Sequence, residues 1–269
     1  FTAFTMEITD YVRHGEDNFL RVVVSNVERN DILPTSSDMD LAGGIYRDVE
    51  LIVTDKTTVS PLYYGTEGVI VVPSKVSTEG VEGSVSVALI GKKEAQCNVT
   101  VDIVSPDGYV ADTKSVKAKI DGKMLHVPFS VTNPELWSLH KPSLYRVDVV
   151  VGADTVSLNT GFRRLEVTPQ HLLTLNGKQV PVRGVNLCHD NAKRGNALTQ
   201  SDYDADFATI KSMGANAIRS VEGPHSQMLY DKCDREGLLV WVDTPLCQSP
   251  FLSDIAFYAS DAFKQNGRE

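Results

Sequence analysis

Between Asn176 and Asp243 the chain sets polar residues just past the ends of three short apolar runs. Cys188, His189 and Asp190 follow the first run, Arg219 and Glu222 the second, and Asp243 the third. Carboxylates and imidazoles accept hydrogen bonds and move protons, and an arginine can grip a planar anion through two parallel N–H bonds. Asp190, Glu222 and Asp243 therefore raise the question of a general acid and base pair. Such a pair needs a water-excluding wall to raise one carboxyl's pKa. Three strand ends do not build one, so these residues read as binding groups.

The elements that must position them follow from periodicity. Val180 to Asn186, Ala215 to Ser220 and Leu238 to Val242 read as strands. The last is apolar throughout, Trp241 included, as strands buried on both faces of a parallel sheet are. Between the strands the period lengthens to that of a helix. Thr199 with Asp202 three residues on marks a helix start, and Tyr203, Phe207, Ile210 and Met213 make its inward stripe before Gly214 stops it. A second helix runs from Ser226 to Glu236 with Leu229, Tyr230 and Cys233 inward and Gly237 as its stop. Alternating strands and helices of this size are the βα units of a (β/α)8 barrel, whose ligands bind at the carboxyl ends of the strands. Arg183, at the first strand, is expected to pair with a buried carboxylate. Three units leave the barrel open, and the open edge predicts either a disordered tail over 251–269 or burial against another copy of the chain.

Upstream the period is two. Val85 to Leu89, Cys97 to Ile103, Val116 to Ile120, Leu125 to Val131 and Tyr145 to Val151 alternate, and Ser105-Pro106-Asp107-Gly108, Asp121-Gly122 and Asn133-Pro134 supply the turns. About seven short strands over roughly a hundred residues is the pattern of an immunoglobulin-like sandwich. Trp137 reads as a core aromatic. Before these strands Phe1 to Phe4 reads as a strand, and Leu20, Val22 and Val24, then Val49, Leu51 and Val53, alternate around a long polar loop from Asn26 to Gly44 that carries Asp38. The expected architecture is multidomain and mainly β. Residues 1–56 end a larger β-sandwich, 57–166 form the immunoglobulin-like sandwich, and 167–269 begin a TIM barrel.

Composition excludes several classes. At 42% hydrophobic and 23% charged the chain can build ordinary cores. A net charge of -9 argues against a nucleic-acid or anionic-membrane partner. The apolar runs are strand-sized, too short to span a bilayer. Four cysteines without CxxC spacing read as buried thiols.

Several motifs, in order along the chain, resemble glycoside hydrolase family 2, the β-galactosidase, β-glucuronidase and β-mannosidase group. Gly44-Ile45-Tyr46-Arg47-Asp48-Val49 is similar to the close of that family's jelly roll. Pro134-Glu135-Leu136-Trp137, Pro142-Ser143-Leu144-Tyr145 and Gly161-Phe162-Arg163 are similar to the end of its immunoglobulin-like domain. Asn176-Gly177-Lys178, Arg183-Gly184-Val185-Asn186, Met213 to Arg219 and Cys233-Asp234 with Gly237 to Trp241 resemble its entry into the barrel. The resemblance implies a retaining exo-β-glycosidase, most like a β-galactosidase, with β-glucuronidase and β-mannosidase as alternatives. It implies a carbohydrate partner and no cofactor. A glutamate acid/base in an Asn-Glu pair and a second glutamate as nucleophile stand roughly 5–5.5 Å apart in such enzymes. No Asn-Glu pair occurs in this sequence. The resemblance therefore puts both glutamates beyond Glu269, no catalytic residue is assigned, and the chain is expected to be an inactive middle piece.

Carried over residue by residue, the resemblance gives the substrate-binding set Asp38, Asn186, Cys188, His189, Asp190, Arg219, Glu222 and Asp243. Cys188 stands where the family usually has a sugar-contacting histidine, with His189 one place on, and Glu222 replaces a second histidine. Asp243 falls where some members hold Mg²⁺, but Pro245 replaces a further ligand, so no metal is expected. A non-catalytic carbohydrate-binding or structural sandwich is the reading from another class. It would show exposed aromatics on a sandwich face, which Trp137 and Trp241 do not promise.

Overall fold

The computed structural model describes residues 3–27, 42–221, 223–244 and 260–268. Its largest part is a sandwich. One sheet joins β2 (Val69–Val76), β3 (Gly80–Val87) and β7 (Leu125–Thr132) in that order, all antiparallel. The other runs β6 (Val110–Lys119), β5 (Gln96–Val104), β8 (Tyr145–Val151) and β9 (Asp154–Thr160). Short β1 (Thr58–Val59) and β4 (Leu89–Ile90) pair at one side. Alternation decides the burial. Tyr145, Val147, Val149 and Val151 of β8 face Val127, Phe129 and Val131 of β7, and all are buried. Each such valine contributes on the order of 1.5–3 kcal/mol by leaving water. Phe162 ties the layers, its ring 5.6 Å from Phe129 and 4.7 Å from Tyr145. The expected turn at Ser105 closes through Gly108 N–H to the Ser105 carbonyl, 2.9 Å, with Gly108 at φ +87°. Strand β9 escaped the sequence reading, because an edge strand carries only a thin apolar stripe, Val156 and Leu158.

After the sandwich comes a small antiparallel sheet of β10 (Leu165–Val167), β11 (Leu173–Leu175) and β12 (Lys178–Gln179). Three parallel strands follow, β13 (Gly184–Leu187), β14 (Ala217–Ser220) and β15 (Leu239–Val242), with α1 (Gln200–Ser212) and α2 (Gln227–Glu236) between them. The Asp202 carboxylate accepts from the Thr199 N–H (2.8 Å) and hydroxyl (2.7 Å), which fixes the start of α1. Tyr203, Phe207 and Ile210 of α1 and Leu229 and Cys233 of α2 bury Ile218 from one side of the sheet. A further helix, α3 (Asp261–Asn266), is capped by the Ser260 hydroxyl, which accepts from Phe263 N–H at 3.0 Å. No helix among the described residues is long and apolar enough to cross a membrane.

Trp137 joins the sandwich to the barrel strands. It is 0% exposed and packs with Leu175, Ala217 and Leu239. Its backbone N–H donates to the Phe162 carbonyl (2.9 Å), and its indole N–H to the Asp234 carbonyl at the end of α2 (2.7 Å). Asn176 donates to the Trp137 carbonyl (3.0 Å), and the Arg163 guanidinium lies 4.7 Å from the indole ring.

Four expectations are corrected. No described residue in 3–27 or 42–56 belongs to a strand; Phe4, Leu20, Val22, Val24, Val49, Leu51 and Val53 are exposed around one short 3-10 turn, Thr9–Tyr11. Strands form only where neighbours satisfy their N–H and C=O groups and a second layer covers their apolar face. Trp241 is 73% exposed, because β15 has no neighbour on its outer side and the face Trp241 shares has no opposite wall among the described residues. Met213 lies beyond the buried stripe of α1, as its C-cap, and is exposed. Arg183 meets no carboxylate among the described residues; its Nε donates to the Gly214 carbonyl at 3.0 Å. Of the tail expectation over 251–269, residues 251–259 and Glu269 lie outside the described residues, while the stretch between them carries α3.

Two glycines separate backbone strain from packing. Gly214 and Gly237 both sit at positive φ, +72° and +74°, but a Cβ on Gly214 meets open space while one on Gly237 would overlap the Leu139 carbonyl. Gly214→Ala should lower stability by about 1 kcal/mol, from conformational strain alone. Gly237→Ala should cost clearly more, because it pushes the sandwich loop off α2. Urea unfolding of both variants measures the difference, and equal losses would contradict this account of the joint.

Candidate functional site

The three strands end together, and their register builds the site. Asn186 stands opposite Arg219 and Arg219 opposite Trp241. In-register neighbours on parallel strands point to the same face, so these side chains form one row on the side away from α1 and α2. Two residues on, Asp243 closes the row at the carboxyl ends. Arg219 donates to it twice, Nε to Oδ1 at 2.9 Å and Nη2 to Oδ2 at 2.6 Å. The bidentate grip fixes the guanidinium plane, and Asp243 holds the Arg219 pKa above its ordinary value. Asn186 is exposed beside it.

Behind the row lies a buried cluster. His189 is 8% exposed and His225 3% exposed, their rings 4.9 Å apart and nearly perpendicular at 80°. The Tyr230 hydroxyl of α2 accepts from the His225 backbone N–H at 2.9 Å. Ser220, at the end of β14, donates to the Gly223 carbonyl at 2.6 Å, which tightens the loop carrying His225. Neither ring nitrogen of His225 has a hydrogen-bond partner of ordinary geometry among the described residues. Burial pushes the His225 pKa down to about 4, helped by His189 and by the Arg47 guanidinium, while the Val221 carbonyl acts the other way. The His189 pKa is also lowered, by burial first and Arg47 second, with Asp190 opposing. Both rings are therefore neutral near pH 7.

The structure brings Asn186, Arg219 and Asp243 together on one face and buries His189 two residues past β13, with Cys188 before it half-buried and Asp190 after it exposed. Asp38 and Glu222 lie outside the described residues. So does Glu269. The sequence reading missed His225, Tyr230 and Arg47 as parts of this end. His225 could have been found as a histidine in the loop after the second barrel strand; Arg47 could not, being 177 positions from the loop carbonyl it reaches. No group of three His, Cys, Asp or Glu among the described residues is placed to hold a metal ion. A cavity of about 390 Å³ opens at the opposite, amino ends of the strands, lined by His140, Arg183, Asn216 and Glu236. Barrel ligands bind at the other end, so it does not compete as the site.

The depressed pKa of His225 has a consequence for stability. A neutral, buried imidazole contributes stability that is fully present above the unfolded value of 6.5 and is lost as pH falls toward about 4. The loss over that window should be roughly 3 kcal/mol from this one group. His225→Gln should flatten the corresponding part of the stability profile between pH 6.5 and 4 in urea titrations. A variant with the same acid sensitivity as the wild type would refute the assignment.

Comparison with known proteins places this geometry in a family. Residues 68–163 match the glycosyl hydrolases family 2, and residues 165–261 match the TIM barrel domain of the same family. A β-glucuronidase of Bacteroides fragilis is 32% identical over 100% of this chain and 40% of its own length. A β-galactosidase of Thermoanaerobacter pseudethanolicus is 27% identical over 91% of this chain and 33% of its own. The crystal structure of a Bacteroides uniformis β-glucuronidase superposes with a TM-score of 0.75 at 28% identity, covering 90% of this chain and 30% of that one. The chain thus spans well under half the length of these relatives. Two adjoining matches to one family, meeting at the joint built on Trp137, show that this chain belongs to glycosyl hydrolases family 2.

Proposed function

We propose that this chain forms part of a retaining exo-β-glycosidase, in which it supplies one wall of the sugar pocket. The observation that carries this reading is the row Asn186, Arg219 and Asp243 at the carboxyl ends of barrel strands in a family 2 chain. On this reading Asn186, Cys188, His189, Asp190, Arg219, Glu222 and Asp243 line the first-strand side of the pocket, and Asp38 reaches it from residues 1–56. The sandwich at 57–166 is the immunoglobulin-like domain, and 167–269 belongs to the barrel. Asp243 holds the Arg219 fork flat, so its remaining N–H donors address sugar hydroxyls in a fixed direction. Chemistry needs two carboxyls roughly 5–5.5 Å apart, and this chain offers no Asn-Glu pair to supply the acid/base.

A β-galactoside is the first substrate reading, from the motif resemblance. A β-glucuronide is the second, supported by the 32% identity to the Bacteroides fragilis β-glucuronidase. The full-length protein should turn over nitrophenyl β-galactoside or β-glucuronide, and the comparison with the β-mannoside ranks the three sugars. The 269-residue chain by itself should turn over none. Asp243→Asn in the full-length protein should lower kcat/KM by roughly 10- to 100-fold, the cost of breaking a charge-assisted hydrogen-bonded pair. Turnover by the isolated chain that Glu222→Gln abolishes would overturn the proposal.

A further inference from the structure

The burial of His225 does not explain itself. Neither of its ring nitrogens has a hydrogen-bond partner of ordinary geometry among the described residues; a buried polar atom left so costs about 1–3 kcal/mol, which a phenyl ring in its place would avoid. His225 sits in a loop anchored at both ends, by the Ser220 hydroxyl on the Gly223 carbonyl and by its own N–H on Tyr230. A third anchor comes from far away in the chain. Arg47 Nη2 donates to the Pro224 carbonyl at 3.4 Å, and the Arg47 guanidinium also lies 5.7 Å from the Tyr46 ring. The residue next to that carbonyl is His225, and its ring meets His189 edge to face. One chain of contacts thus runs from the segment before the sandwich, through the loop after β14, to the residue two places beyond β13.

We infer that Arg47 is a positioning residue for the barrel mouth: it holds the Pro224 carbonyl, seats His225 against His189, and so sets where the His189 imidazole stands past the carboxyl end of β13. His225 is too deeply buried to touch a ligand and acts through its neighbour. The guanidinium has a second effect, since its charge opposes protonation of both rings. It adds to the burial that keeps His189 a neutral ring, able both to donate and to accept. Among the described residues, the other titratable groups around the pair are Asp190 past β13, which opposes the lowering at His189, Tyr230 on α2, whose hydroxyl meets the His225 N–H, and Tyr203 on α1, which feels the same Arg47 charge. The segment carrying Arg47 has no strand of its own among the described residues, yet it reaches the site directly. The link to sugar binding rests on the glycosidase reading; the link between Arg47 and the histidines does not.

The two can be tested apart. In the 269-residue chain, imidazole Cε1–H resonances of His189 and His225, assigned with His189→Gln and His225→Gln, are followed by NMR against pH. Arg47→Ala should move both midpoints upward, toward the ordinary 6.5, and change the His189 ring shifts. Arg47→Lys should keep the midpoints near wild type, because the charge remains, and Arg47→Gln should move them if the alanine variant does not fold. In the full-length enzyme Arg47→Ala should raise KM about tenfold, the equivalent of one charged hydrogen bond, with kcat little changed. Unchanged midpoints and ring shifts in folded Arg47→Ala or Arg47→Gln would overturn the inference, whatever the enzyme turns over. Shifted midpoints in a full-length protein without glycosidase activity would uphold the Arg47 link and sink the glycosidase reading.

Discussion

Everything past the sandwich depends on where Trp137 is buried. Its indole lies against Ala217 and Leu239, the first residues of β14 and β15, and donates to the last turn of α2. Its backbone is held by Phe162, whose ring bridges the two sandwich sheets. One side chain therefore belongs to two cores. Gly161 meets the same indole so closely that any Cβ there would collide with it, at 2.8 Å. The barrel strands inherit their direction from this contact, and with it the direction in which their carboxyl ends open.

From that fixed floor, register does the rest. Asn186, Arg219 and Trp241 share a face because parallel neighbours pair residue by residue. Arg219 is then committed by Asp243, a strand end away. The row faces outward among the described residues, while the opposite face is sealed by α1 and α2. The asymmetry explains why Trp241, apolar and in a central-looking strand, stands exposed while Ile218 does not. The buried histidines form a second tier past the strand ends, and their charge state is governed first by burial, to which Arg47, outside the barrel altogether, adds.

Much of this was legible in the sequence, for a local reason. The alternation at Val127, Phe129 and Val131 and at Tyr145, Val147 and Val149 specifies which face is buried, and the sandwich forms accordingly. The start of α1 at Thr199 and Asp202 and the stop of α2 at Gly237 are short-range hydrogen-bond and φ requirements, so they are visible in a few residues. The family motifs are visible too, because each records a turn, a cap or a joint. The runs at Leu20 to Val24 and Val49 to Val53 show the limit: their pattern is that of strands, but a ladder needs partners that these described residues do not find.

By itself, then, the sequence determined the local elements, the order of sandwich and βα units, and the candidate residues at the strand ends, since all of these rest on neighbours within a few positions. Only the tertiary structure decided which candidates meet. It paired Arg219 with Asp243, set His225 against His189, gave Arg183 a carbonyl in place of a carboxylate, and brought Arg47 to Pro224. Those contacts join residues that no period or motif relates. They exist because a buried tryptophan fixes one domain on another, and distance in space then no longer follows distance along the chain.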